Sequence, residues 1–135
     1  MTLTLRVLAP DQSVFDGPVD EVILPSATGQ LGVLTGHVPL LTALDSGVLR
    51  LREGSSWSSI ALLGGFAEVE SNEVTVLVNG AELGSSIDVA AAEREFEAAE
   101  QAARAFEGQP SSPDKLKAQD ALAQARARLS AGRGA

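Results

Sequence analysis

The stretch Ser85-Ser86-Ile87-Asp88-Val89-Ala90-Ala91-Ala92 divides the chain into two kinds of sequence. The 86 residues that end at Ser86 hold eleven Val, ten Gly and six Ala, whereas the 49 from Ile87 onward hold one Val, three Gly and fifteen Ala. Branched Val side chains favour strands and Gly favours turns, while Ala is the strongest helix former. The composition therefore predicts a β unit over 1–86 and a helical unit over 87–135.

Upstream of this junction the apolar residues alternate. Leu3, Leu5 and Val7 are interleaved with Thr2, Thr4 and Arg6, and Val74, Val76 and Val78 with Thr75 and Leu77. Val48, Leu49 and Leu51 lie among Arg50 and Arg52, and a run Val22-Ile23-Leu24 is expected to stop at Pro25. A period of two is that of a strand with one buried face. Turn chemistry separates the runs at Asp16-Gly17-Pro18, Asp45-Ser46-Gly47, Glu53-Gly54, Ser71-Asn72 and Asn79-Gly80. Short strands punctuated in this way predict an antiparallel sandwich or flattened barrel. No strand–helix–strand spacing is present, so a parallel sheet is not expected.

Downstream, Asp88 is placed to cap a helix whose stripe Val89, Ala92, Phe96, Ala99, Ala103 and Phe106 recurs every three or four residues. Gly108 should end that helix. Ser112 followed by Pro113 has the chemistry of an N-cap and first position of a second helix, with the stripe Ala118, Leu122, Ala125 and Leu129. The short link predicts an antiparallel hairpin. Its facing residues are mostly Ala, so it should bury little apolar area and be easily displaced from the sandwich.

The whole chain is 135 residues with a net charge of -8, which disfavours nucleic acid as a partner. Resolved by segment, the charge is -7 over 1–86, -4 over 87–107 and +3 over 108–135. The second helix, with Lys115, Lys117, Arg126 and Arg128, is thus the one cationic element. Those side chains are either a solvated face that complements the acidic first helix or a docking surface for an acidic partner.

Little else suggests a reaction. Cys is absent, which removes disulfides, thiolate metal sites and Cys nucleophiles, and the single His37 cannot build a multi-His metal site. No Ser lies in a Gly-x-Ser-x-Gly elbow, and the glycines at 29, 32 and 36 lack the Gly-Lys-Ser/Thr ending of a phosphate loop. No apolar run approaches the ~18 residues of a membrane helix, and the first residues do not read as a secretory or transit leader. The residues describe a non-enzymatic binding or assembly module that needs no cofactor. A free-standing ligand-binding sandwich is the alternative, although aromatics make up only 4% of the chain. A small hydrolase built around His37 is a third reading, disfavoured by the residue inventory.

One segment goes beyond patterning. From Glu21 to Arg50 the sequence contains Gly29-Gln30-Leu31-Gly32, then Gly36-His37-Val38-Pro39-Leu40, then Gly47-Val48-Leu49-Arg50. Leu63-Gly64-Gly65-Phe66-Ala67-Glu68-Val69 follows, then the strand-like run from Asn72 to Asn79 and the Ala-rich hairpin. In this order the motifs closely resemble the epsilon subunit of F-type ATP synthases, over nearly the whole chain and with a leaning towards the cyanobacterial and plastid branch. The resemblance implies a flattened β-sandwich followed by an α-helical hairpin. It also implies a central-stalk rotor subunit that binds the gamma subunit, rests on the ring of membrane c subunits and couples ring rotation to the catalytic alpha and beta subunits. It would sit at the cytoplasmic face of a bacterial membrane, thylakoids included, or at the stromal face in a plastid.

By the same resemblance the strand at Gly64, Gly65 and Phe66 would face gamma, and Gly29, Gln30, Leu31, Gly32, Gly36 and His37 would lie near the c-ring. His37 is either a contact residue there or a structural hydrogen-bonding group. The hairpin would extend along gamma and restrain ATP hydrolysis, with Lys115, Lys117, Arg126 and Arg128 meeting an acidic segment of a catalytic subunit. Some bacterial members bind ATP where this hairpin begins, through a motif with Arg four residues after an apolar residue. Here Ile87-Asp88-Val89-Ala90-Ala91-Ala92 has Ala91 in place of that Arg, so ATP should bind weakly or not at all.

Overall fold

The computed structural model describes residues 2–134. Ten strands come first: β1 (Leu3–Ala9), β2 (Gln12–Val19), β3 (Glu21–Ser26), β4 (Gly29–Val33), β5 (Leu40–Leu44), β6 (Gly47–Glu53), β7 (Ser56–Leu62), β8 (Gly65–Glu70), β9 (Glu73–Val78) and β10 (Ala81–Leu83). A 3-10 turn over Gly84–Ser86 leads to helices α1 (Val89–Arg104) and α2 (Pro113–Gly132). A sandwich followed by a helical hairpin is the architecture that the composition predicts.

The strands run in the order β10-β7-β6-β3-β5-β8-β9-β1-β2, with β4 on the free side of β3. β3 and β5 share the single register pair Ser26↔Leu44, and there the sheet folds over on itself. Thr42 closes the fold by bonding its hydroxyl to that of buried Ser26, 3.0 Å away. The alternating residues become the core: Leu3, Leu5, Val7, Val74, Val76 and Val78 all point between the layers, with Leu49, Leu51, Ile60 and Leu62 facing them. Burying such side chains stabilises the fold by roughly 1.5–3 kcal/mol each.

Three expectations are corrected. The pair β1·β9 is parallel, while every other strand pair is antiparallel. The whole of β2–β8 serves as the crossover, so no strand–helix–strand unit was needed. Asp16-Gly17-Pro18 is not a turn but lies within β2, opposite Arg6, Leu5 and Thr4. β2 is the edge of the sheet, where a residue without an N–H costs no ladder bond. The reversal instead falls at Pro10-Asp11, with Asp11 at φ 67. Pro25 likewise lies inside β3, where its carbonyl accepts the Asp45 N–H at 3.0 Å.

The helices follow their expected caps. Asp88 accepts from the Ala91 N–H at 3.2 Å and Ser112 from the Lys115 N–H at 3.1 Å. The α1 stripe is buried or half-buried throughout, but the regular helix ends at Arg104 and residues 105–108 form a tighter turn. α2 buries two faces. Ala125 and Leu129 belong to the expected stripe, whereas Ala127 and Ala131 are buried as well. α2 lies on β6 and β7 as well as on α1, and Ala131 packs with Ala61, Ile87 and Ala92. Gly84 permits the contact, because a Cβ there would stand 2.4 Å from the Ala131 carbonyl oxygen.

Candidate functional site

The two outer faces of the sandwich differ. On the β6–β7 side, Val48 and Ala61 are covered by the hairpin. On the other side the register aligns Ala43, Phe66, Leu77 and Leu8 in one row across β5, β8, β9 and β1. Val76 and Val78 point into the core, so Leu77 between them must point out. Leu41, Phe66 and Leu77 are 70%, 59% and 52% exposed. The row lines an open groove of about 610 Å³ that continues past Ala9, Pro10 and Asn79. Scattered exposed apolar residues are ordinary, but a contiguous row of this kind marks a contact surface.

Gly64 and Gly65 aim this row. Gly65 has φ +153, and a Cβ there would lie 2.1 Å from the Leu77 carbonyl oxygen. Gly65 thus admits a close approach by the backbone of β9. Phe66 was expected at this surface. Leu8, Leu41 and Leu77 were missed, although Leu77 carries a readable signal: it is a large apolar residue in an outward position of an alternating strand.

The candidates from Gly29 to His37 are divided between two places. Gly29, Gln30, Leu31 and Gly32 belong to β4, and Gln30 borders a cleft against α2. Gly36 and His37 lie in the turn beyond, where the Gly36 N–H donates to Asn72 Oδ1 at 2.7 Å. His37 Nδ1 donates to the Val38 carbonyl at 2.7 Å, which fixes the tautomer and gives the ring a structural bond. Beside them Leu34 and Val38, which sequence reasoning passed over, are 53% and 69% exposed.

Nor do the four basic candidates form one cluster. Lys115, whose Nζ donates to the Gln109 carbonyl at 2.7 Å, and exposed Lys117 sit in the first turns of α2. Arg126 and Arg128 lie about 16 Å further along at 1.5 Å per residue. Arg126 is exposed and stacks 5.9 Å from the centre of the Phe96 ring. Arg128 is committed within the chain. Its Nε and Nη2 donate to the two carboxylate oxygens of Glu82 at 2.8 and 3.2 Å, and Nη1 donates to Glu95. The Glu82 hydrogen bond does most to raise the guanidinium's pKa above its ordinary value, against burial and with help from Glu95. One side chain of α2 is thereby clamped to β10 and to α1, while Arg133 pairs with Glu93 at 2.6 Å.

A forked charge-assisted contact is among the stronger kinds. Arg128→Ala is expected to weaken hairpin docking by about 1–2 kcal/mol, leaving two carboxylates without their cation. Amide exchange in α2 should then accelerate about tenfold, with β1 and β9 amides unaffected.

Comparisons with known proteins identify the family. The model of the ATP synthase delta/epsilon chain β-sandwich domain matches residues 2–84, and that of the delta/epsilon chain long alpha-helix domain matches residues 85–132. The chain belongs to the ATP synthase delta/epsilon family. Within that family, the ATP synthase epsilon chain of Synechococcus sp. (strain CC9902) is 67% identical over 135 residues, covering 100% of this chain and 99% of the relative. The epsilon chain of Prochlorococcus marinus (strain MIT 9303) is 62% identical over 131 residues, covering 97% and 98%. The epsilon-subunit resemblance and its cyanobacterial leaning are thereby borne out. The same fold occurs in a chain of the Euglena gracilis mitochondrial ATP synthase, with a TM-score of 0.80 at 22% identity, covering 98% of this chain and 81% of that one. The family's hairpin begins, in this member, with an Asp88 carboxylate already used as a helix cap.

Proposed function

We propose that this chain is the central-stalk rotor subunit of a proton-translocating F-type ATP synthase. It couples rotation of the c-ring to the catalytic alpha and beta subunits and contributes no catalytic group of its own. The sandwich, residues 1–86, binds gamma and the c-ring. The hairpin, residues 87–135, is regulatory and restrains ATP hydrolysis. The subunit is peripheral and faces the cytoplasm, reaching the membrane through the complex. Among the described residues no helix is long and apolar enough to cross a membrane.

The observation that carries this reading is the exposed apolar row on the sandwich face that the hairpin leaves bare. It fits a permanent protein partner, and we assign it to gamma, with Gly64 and Gly65 setting the edge of the contact and Phe66 at its centre. The turn with Leu34, Gly36, His37 and Val38, reached through the β4 residues Gly29, Gln30, Leu31 and Gly32, is assigned to the c-ring. Lys115, Lys117, Arg126 and Arg128 are assigned to an acidic segment of a catalytic subunit, which Arg128 reaches after leaving Glu82 and Glu95.

A binding assay against the gamma subunit of the same complex tests the reading. The intact chain should form a stable complex. Phe66→Asp places a charge in the middle of the apolar row and should weaken it at least about 100-fold, as hot-spot losses do. Equal gamma binding by the intact chain and the Asp variant would defeat the assignment.

A further inference from the structure

Arginines in this chain are mostly paired. Arg6, Arg52, Arg104, Arg128 and Arg133 each have a carboxylate partner within 4 Å. Among the described residues Arg50, Arg94 and Arg126 have none, and two of these three converge. Arg50 on β6 and Arg126 on α2 line one cleft of about 350 Å³ between the sandwich and the hairpin. Gln30, Ser46 and Ser130 add an amide and two hydroxyls to its walls, and no acidic residue borders it among the described residues.

Both guanidiniums are held in place without being neutralised. Arg50 stacks on the Trp57 ring, 5.0 Å from its centre, and its Nε is buried with no hydrogen-bond partner. Arg126 rests over Phe96 at 5.9 Å. Stacking leaves the in-plane N–H groups of a guanidinium available, and their fork matches phosphate oxygens. Two like charges lining one cleft with no carboxylate between them repel each other, and a bound anion relieves that repulsion. A flat carboxylate offers acceptors in one plane. A tetrahedral oxyanion offers them to donors on both walls at once.

We propose that this cleft binds an inorganic phosphate-class oxyanion, phosphate or pyrophosphate, between Arg50 of the sandwich and Arg126 of the hairpin. The bound anion ties α2 to β6, on a different flank from the Arg128–Glu82 clamp. Binding to the docked form alone stabilises the docked hairpin by mass action. The site depends on the cleft and not on the rotor assignment, so failure against gamma leaves it standing.

The test titrates the full chain with sodium pyrophosphate at constant ionic strength, read by calorimetry and by the emission of Trp57, the only tryptophan and a stacking partner of Arg50. Saturable heat and a parallel emission change are expected. Arg126→Gln should raise the dissociation constant about tenfold or more, the loss of one charge-assisted contact, whereas Arg94→Gln should leave it unchanged. Inorganic phosphate should bind the same site more weakly, and ATP no more tightly than pyrophosphate. Absence of saturable binding at 10-millimolar order, about the weakest useful range, would overturn the proposal. So would equal affinity in the Arg126→Gln variant, or ATP binding far more tightly than pyrophosphate.

Discussion

Deleting residues 87–135 is expected to leave the sandwich folded and able to bind gamma, while ATP hydrolysis by the assembled complex rises about fivefold or more, the scale of an ordinary regulatory coupling. The physical reason for survival is the separation of the two apolar clusters. The sandwich core draws its buried members from the strands alone, whereas Ile87, Ala92, Leu129 and Ala131 form the second cluster against Ala61. Truncation therefore uncovers small residues and opens no cavity in the core. The rise in hydrolysis follows if the hairpin is what reaches the catalytic subunits, and steady-state ATPase assays of reconstituted complexes measure it. An unchanged rate would remove the inhibitory half of the proposed function and leave assembly intact.

A single substitution refines that test. Glu82→Gln loosens the fork on Arg128 without touching the cationic surface of α2. It should lower hydrolysis below that of the unaltered complex, because a hairpin freed from the sandwich reaches the catalytic subunits more often. Arg128→Ala removes the clamp and a docking charge together, so its effect on hydrolysis should be smaller than either change alone would give.

Replacing Gly65 with Val should be the most destabilising single change in the sandwich. The Cβ would meet the Leu77 carbonyl oxygen at 2.1 Å, and φ +153 is a conformation that a branched side chain resists. Relief requires β8 and β9 to separate at the core edge that Val78 fills. A loss of about 3 kcal/mol or more is expected, which lowers the melting temperature by roughly 10 °C. Gly32→Ala, whose Cβ meets nothing within 4 Å, is the matched control and should change stability by less than about 1 kcal/mol. Calorimetric melting of the two variants decides the point.

How far the sequence could be read depended on whether a feature was local. The alternation of Leu3, Leu5 and Val7 and of Val74, Val76 and Val78 reports a buried face directly, and each of these residues is in the core. Asp88 and Ser112 act within one turn of their own positions, and both cap as expected. Pro18 misled because tolerance of proline depends on which strand is an edge, a property of the assembled sheet, and Pro25 because interior β3 runs one residue past it, where Ser26 pairs with both β4 and β5. Ala127 and Ala131 escaped notice because Ala carries almost no signal in a helix, whether it is buried or exposed. The division of Gln30 from His37 and the commitment of Arg128 to Glu82 are likewise set by tertiary placement. Of the proposed interaction surfaces, the apolar row had the most legible trace, in the outward Leu77.

The parallel pairing of β1 with β9 has a consequence for how the protein is made. β1 is an interior strand, flanked by β2 and β9, yet it is synthesised before either, and Leu5 must wait for Val74 before its second ladder can close. The layer containing both cannot be completed during early synthesis. Such long-range closure places the sandwich among slower-folding topologies, on the millisecond-to-second scale. Until then β1 and β2 form a lone hairpin with an open apolar edge, which is the state most exposed to aggregation and to chaperone capture.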